Sequence, residues 1–211
     1  DNNSMPKFDT MILNSGGLRS LVTTAMVARE IDPELIVLVH YTRRQPNGRN
    51  RVEAMEQQAK HYAIEQVVRS EMASLIPRPG TAVRDEDSPD PPSFYRPQML
   101  LAAIAQAIEF RVKRLVIPYQ CNATHEKIAQ ITEQTTLVQH IAELEFDGEL
   151  PPLDMPILDM SDRQLIELGG QMDVPWQMSW SCRQAGEQPC GGCEACIRRS
   201  RGFRQAGIAD A

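Results

Sequence analysis

No apolar stretch in this chain approaches the ~20 residues that a membrane-spanning helix needs, and the first residues carry no signal-peptide pattern. The expectation is a cytoplasmic protein with no membrane partner. Positive charge is also short: a formal net charge of -6 argues against a protein that coats nucleic acid and leaves room only for a local basic face. There is no internal repeat and no low-complexity segment. Cysteine is sparse, and four of the five cluster between Cys182 and Cys196, which fits a reducing compartment and a metal site better than a disulfide framework. The fifth, Cys121, stands alone. At 211 residues the chain is long enough to bury a full core as one domain, and its 42% hydrophobic and 24% charged content is ordinary for a globular protein.

What is present begins with Asn14-Ser15-Gly16-Gly17-Leu18-Arg19-Ser20, between an apolar run at 8–13 and a helical one. A strand feeding a Ser-Gly-Gly turn and then a helix places backbone N–H groups at a helix N-terminus, where phosphate binds. Read alone, the same three residues describe any tight turn between a strand and a helix.

Taken in order, Leu21, Val22, Ala25 and Met26 repeat with helical spacing until Asp32-Pro33, and 35–40 is a continuous apolar run. This start predicts a parallel sheet with its crevice at the strand carboxyl ends. A loop over 41–50 carries Arg43, Arg44 and Arg49, either as a solvated charged loop or as a holder of phosphate or carboxylate. Helix is predicted over 52–62 and strand over 64–68. Residues 71–93 are proline-rich and acidic, the composition of a lid or a mobile insertion. Pro97 opens an apolar helix to about Phe110, a strand follows over 114–118, and Asn122 to His125 lie at its carboxyl end. A long helix covers 126–146 and a short strand 153–158. Ser161 with Gln164 forms a capping box for a helix over 163–172.

Cys182, Cys190, Cys193 and Cys196 stand at the gaps that let four thiolates surround one tetrahedral Zn²⁺ with no position left for water, a structural role. Reduced thiols or a disulfide pair are the alternative. Arg198, Arg199, Arg201 and Arg204 behind them read as a solvated face.

With these parts assembled, the chain resembles the 7-cyano-7-deazaguanine synthase family of PP-loop ATP pyrophosphatases over nearly its whole length. Trp180-Ser181-Cys182-Arg183, then Cys190-Gly191-Gly192-Cys193-Glu194-Ala195-Cys196, then Arg199, Gly202 and Phe203 resemble the family's Cys-x7-Cys-x2-Cys-x2-Cys zinc site and Arg-x-x-Gly-Phe tail. Ser15-Gly16-Gly17 and Ser20 match the PP-loop Ser-Gly-Gly-x-Asp-Ser. Tyr41 and Arg44 resemble the Tyr-Gly-Gln-Arg after the second strand, and Arg96 stands at the arginine of Pro-Gly-Arg-Asn.

The resemblance implies an α/β fold, a Rossmann-like parallel sheet with helices on both faces of the adenine nucleotide alpha hydrolase type. It also implies a PP-loop domain over 5–175 with a C-terminal zinc knuckle over 176–211 packed on it. It implies ATP as substrate, Mg²⁺, structural Zn²⁺, and adenylation of a small 7-deazaguanine-type carboxylate before ammonia attacks, in the queuosine precursor pathway. Ser15, Gly16, Gly17, Leu18 and Ser20 are then the phosphate-binding residues and Arg19, Arg44 and Arg96 the catalytic candidates; the sequence leaves the oligomeric state open, a homodimer included.

Three positions depart from the family pattern. Arg19 stands where the PP-loop has Asp; at ~4 Å and an effective dielectric near 20 one charge pair is worth roughly 4 kcal/mol, so a cation there opposes Mg²⁺. Tyr95 and Pro97 flank Arg96 in place of Gly and Asn. The long substrate loop after the fourth strand is replaced by Asn122 to His125. Two readings follow: an ATP-dependent carbon-nitrogen ligase, or a degenerate module that holds a nucleotide or a partner without hydrolysis. tRNA modification is a weaker third, given the acidic balance.

Overall fold

Alternation inside the apolar runs decides how this chain layers. A computed structural model describes residues 7–42, 45–72, 94–122 and 124–210. In β1 (Phe8–Leu13) and β2 (Ile36–Thr42), Met11, Leu13, Val37 and Val39 join one core with Leu100, Ala103 and Ile104. Ile12, Ile36 and Leu38 face the other way, into a core with Val27 and Ala59. Successive strand residues point to opposite faces, and both faces are apolar because both are covered.

The covering helices are α1 (Leu18–Glu30) and α2 (Gly48–His61) on one side, α3 (Tyr95–Glu109) and α4 (His125–Glu145) on the other. With β3 (Gln66–Glu71), β4 (Val112–Val116) and β5 (Leu153–Asp154), the sheet runs β3-β2-β1-β4-β5, every pair parallel, with Ile12 in register between Leu38 and Val116. Behind α1, α5 (Asp162–Gln171) and α6 (Glu194–Ala206) extend the layer: Leu21 and Val22 pack with Leu165, Ile166, Trp176 and Phe203. The expected Rossmann-like parallel sheet with helices on both faces is therefore present.

The strand order makes β1 the switch point. The chain travels outward through β2 and β3, then returns to the opposite side of β1 to lay down β4. The loops after β1 and β4 diverge there and leave a crevice at their carboxyl ends.

Several boundaries move. The strand predicted over 153–158 stops at Asp154, since Pro156 has no N–H to give a ladder and the Leu158 N–H turns back to the Met155 carbonyl at 3.2 Å. The predicted strand over 64–68 begins at Gln66, because the Ile64 N–H is spent on the Ala59 carbonyl at the end of α2. β4 starts two residues before its predicted 114, and α2 starts at Gly48, inside the stretch read as loop. Pro97 lies in the first turn of α3, where its missing N–H costs no helical bond. The capping box is as expected: Ser161 Oγ accepts from the Gln164 N–H at 3.2 Å, and Gln164 Oε1 accepts from the Ser161 N–H at 2.9 Å. Of the proline-rich acidic segment, residues 73–93 lie outside the described residues.

Candidate functional site

The turn after β1 is braced from within. Asn14 is 1% exposed and uses its whole amide: Nδ2 donates to Thr24 Oγ1 at 3.1 Å and to Gln58 Oε1 at 2.9 Å, while Oδ1 accepts the Gly16 N–H at 2.7 Å. Ser20 Oγ accepts the Ser15 N–H at 2.9 Å and lies 3.1 Å from Ser15 Oγ. From β2, His40 Nδ1 reaches the Asn14 carbonyl at 2.7 Å, and burial holds the imidazole below its usual pKa, so the ring is the neutral donor. Gly16 has φ +70°, and a Cβ there would collide with the Arg51 carbonyl; what this glycine makes room for is the start of α2.

Gly17 is the N-cap of α1 and has no side chain to bond the first-turn amides, which have no partner within a helix. Ser15, Gly17 and Leu18 line a cavity of about 350 Å³ together with Arg19, Arg51, Gln120, Asp162 and Arg198. A larger open groove of about 640 Å³ lies elsewhere, against Glu167, Asp173 and Trp176. The described residues lining it include two carboxylates and no arginine or lysine, so it does not suit a phosphate.

Arg19 donates Nε to Gln120 Oε1 at 2.7 Å, across the crevice between β1 and β4. Burial, and after it the neighbouring Arg198 guanidinium, pushes its pKa down to about 10, which leaves it charged at neutral pH. Arg198 grips Asp162 with both Nε and Nη2, at 2.7 and 2.6 Å, and Nη2 also reaches Gln120 Oε1 at 3.2 Å. Gln120 is itself held by Nε2 on the Met160 carbonyl at 3.0 Å. Gln120, Arg51 and Asp162 were not singled out by the sequence, and Arg198 was read there as solvated, because the ion pair and the shared amide join segments far apart in the chain.

The other catalytic candidates fall differently. Arg96 is exposed on α3, donates to Gln134 at 3.3 Å, and lies over the Tyr119 ring at 5.1 Å, outside the lining of the cavity. Arg44 lies outside the described residues. Tyr41 is tied by its hydroxyl to Gln106 of α3 at 2.7 Å. The solvated face expected of the C-terminal arginines holds for Arg201 and Arg204 and fails for the other two. Arg198 is in the cavity wall. The Arg199 side chain is 13% exposed and donates to Asp210, Ser179 and the Trp176 carbonyl. Gly202 lets α6 approach Ile166 and Asp162 of α5, and Phe203 meets Trp176 edge-on at 5.1 Å.

Cys182, Cys190, Cys193 and Cys196 come together with all four sulfurs within 4.8 Å of one another, and separations of 3.5 Å, 3.9 Å and 3.5 Å between neighbours. Four sulfurs at ~2.3 Å from one ion stand roughly 3.8 Å apart at tetrahedral angles, so this donor set fits a single metal ion. Amides support it: the N–H groups of Gln184 and Cys190 donate to Cys182 Sγ at 3.4 Å.

The segment leading into the cluster is the back wall of the turn. Trp180 N–H donates to the Gly16 carbonyl at 2.9 Å, Gln58 to the Met178 carbonyl at 2.8 Å, and Asn47 to the Cys182 carbonyl at 2.7 Å.

Residues 130–207 match the family described as Queuosine biosynthesis protein QueC, a match that spans α6 and the cysteines. Curated relatives extend the likeness across the sheet. The chain is 28% identical to 7-cyano-7-deazaguanine synthase of Methanothrix thermoacetophila, covering 94% of this chain and 95% of that protein. It is 27% identical to the synthase of Chlorobaculum parvum, covering 95% and 93%. Among solved structures, the U34-tRNA thiolase NcsA from Methanococcus maripaludis with its 4Fe–4S cluster shares the fold at TM-score 0.50 and 16% identity, over 95% of this chain and 64% of that one. NMN synthetase from Francisella tularensis does so at TM-score 0.51 and 12% identity, over 95% and 87%. No helix of the described residues is long and apolar enough to cross a membrane. Fold, cysteine cluster and relatives agree, and the chain is a divergent QueC-like relative of the 7-cyano-7-deazaguanine synthases.

Proposed function

We propose that this protein is an ATP-dependent carbon-nitrogen ligase that adenylates a small carboxylate of the 7-deazaguanine type. The observation that carries the reading is the Ser15-Gly16-Gly17 turn, set between β1 and α1 at the switch point and opening on an arginine-lined cavity. Ser15, Gly17, Leu18 and the buried Ser20 hold the phosphates, with Gly16 keeping the turn closed. A carboxylate oxygen attacks the α-phosphorus of ATP and the bond to pyrophosphate breaks. Ammonia then attacks the acyl carbon of the adenylate and AMP leaves. Arg19 offsets charge developing on the phosphates, and Arg44 and Arg96 are the further candidates.

Cys182, Cys190, Cys193 and Cys196 hold one Zn²⁺ as a structural ion with a full set of thiolates. The short sulfur separations favour a single ion over a 4Fe–4S cluster, in which each thiolate binds a different iron. The PP-loop domain is 5–175, and 176–211 is the zinc knuckle packed on it.

One observation favours a second reading. Arg19, in place of the motif's Asp, suits a protein that holds the nucleotide and does not turn it over. Incubation with ATP, Mg²⁺, 7-carboxy-7-deazaguanine and ammonia separates the two. Equimolar AMP and pyrophosphate support the ligase. ATP binding with no AMP from any carboxylate tried supports the binding module.

A further inference from the structure

The cavity at the turn carries an excess of positive charge in a protein whose formal net charge is -6. Setting aside Arg199, which Asp210 neutralises, its described lining presents Arg19, Arg51, Arg183 and Arg198 against two carboxylates, Asp162 and Glu194. Both carboxylates are already engaged: Asp162 by the two-pronged grip of Arg198, Glu194 by Arg183 Nη2 at 2.6 Å. Neither pairing involves Arg19, whose charge stands beside the phosphate turn.

Mg²⁺ is held in such sites by one or two carboxylates together with substrate phosphates. The described lining of this cavity has no carboxylate left for that purpose, and the position two residues beyond Gly17 carries a guanidinium. The donor set does not fit the ion. It fits a polyanion instead. Arg19 commits Nε to Gln120, and its guanidinium carries four further N–H donors. Burial and the nearby Arg198 make its charge costly, and an anion between them removes that cost.

We infer that this site takes its polyphosphate, a nucleoside triphosphate or pyrophosphate, without a divalent cation, the Arg19 guanidinium supplying the charge an ion would bring. The inference rests on reading the Ser15-Gly16-Gly17 turn as a nucleotide site and names the form of the ligand.

Isothermal calorimetry on the full chain tests it, with ATP and separately with pyrophosphate, each in excess EDTA and in millimolar Mg²⁺. Wild-type protein binds both as tightly or more tightly in EDTA. Arg19→Asp loses at least about tenfold of the affinity in EDTA, and Mg²⁺ restores it, since a reversed charge at this distance is worth well over 1.4 kcal/mol. Arg19→Gln loses affinity in EDTA and gains nothing from Mg²⁺. Wild-type affinity for ATP about tenfold weaker in EDTA than in Mg²⁺ overturns the inference and leaves the nucleotide reading standing. Pyrophosphate binding in EDTA with no ATP binding in either buffer sustains the metal-free anion site and sinks the nucleotide reading. No binding of either ligand in either buffer overturns both. Should Arg19→Asp fail to fold, the wild-type comparison of the two buffers decides the matter alone.

Discussion

Arg19 and Arg198 donate to the same atom, Oε1 of Gln120, at 2.7 and 3.2 Å. One neutral oxygen thus screens two guanidinium groups from each other while its own Nε2 is anchored to the Met160 carbonyl. Gln120→Leu removes that screen from a position 8% exposed. The variant should lose about 1–3 kcal/mol in urea denaturation, and added pyrophosphate should return more stability to it than to the wild type.

Asp162→Asn tests the balance from the other side. It keeps the shape of the Arg198 contact and removes the charge that neutralises it. Calorimetry in EDTA should show tighter pyrophosphate binding with a steeper dependence on salt.

Asn14 satisfies three separate groups, in the turn, on α1 and on α2. Asn14→Ala leaves the Gly16 N–H and Gln58 Oε1 buried without a bond, at a cost of about 2–4 kcal/mol by chemical denaturation. Thr24→Ser keeps a hydroxyl for the same amide and should cost much less.

Metal removal should be felt at the phosphate turn. The cysteine cluster pins residues 178–182, whose amide and carbonyls hold Gly16, Gln58 and Asn47. Chelation, or Cys193→Ser, should lower the melting temperature and raise amide exchange at Trp180 and in α1's first turn before the sheet core responds. The ion released should be one per chain by elemental analysis.

His40 gives a pH dependence of known sign. Buried and neutral in the fold, its imidazole resists a proton that the unfolded chain accepts near pH 6.5. The unfolded state then binds more protons, so stability is full above pH 6.5 and falls as the pH drops toward the folded value. His40→Asn should flatten that slope in denaturation series run from about pH 7 to 5.

The sheet was legible because its strands are covered on both faces: 11–13 and 35–39 are consecutive apolar residues, as a buried parallel strand requires. The edges were less so. β3 is half-buried, its limits set by pairing with β2, and β5 is cut short by Pro156. The cysteines announced their meeting through spacing alone. Arg198 did not, because its partner Asp162 belongs to another helix, far away in the chain. Asn14 stood in the turn that drew attention, yet its role as a hub depends on Thr24 and Gln58, whose positions only the packed helices define.

The hydrogen bond from Trp180 to Gly16 spans nearly the whole chain. During synthesis the Ser-Gly-Gly turn is made roughly ten seconds or more before the residue that closes it, at ~5–20 residues per second. Until residue 180 arrives, the growing chain carries a phosphate turn with no back wall, so ligand binding at this site reports that synthesis has passed the segment leading into the cysteine cluster.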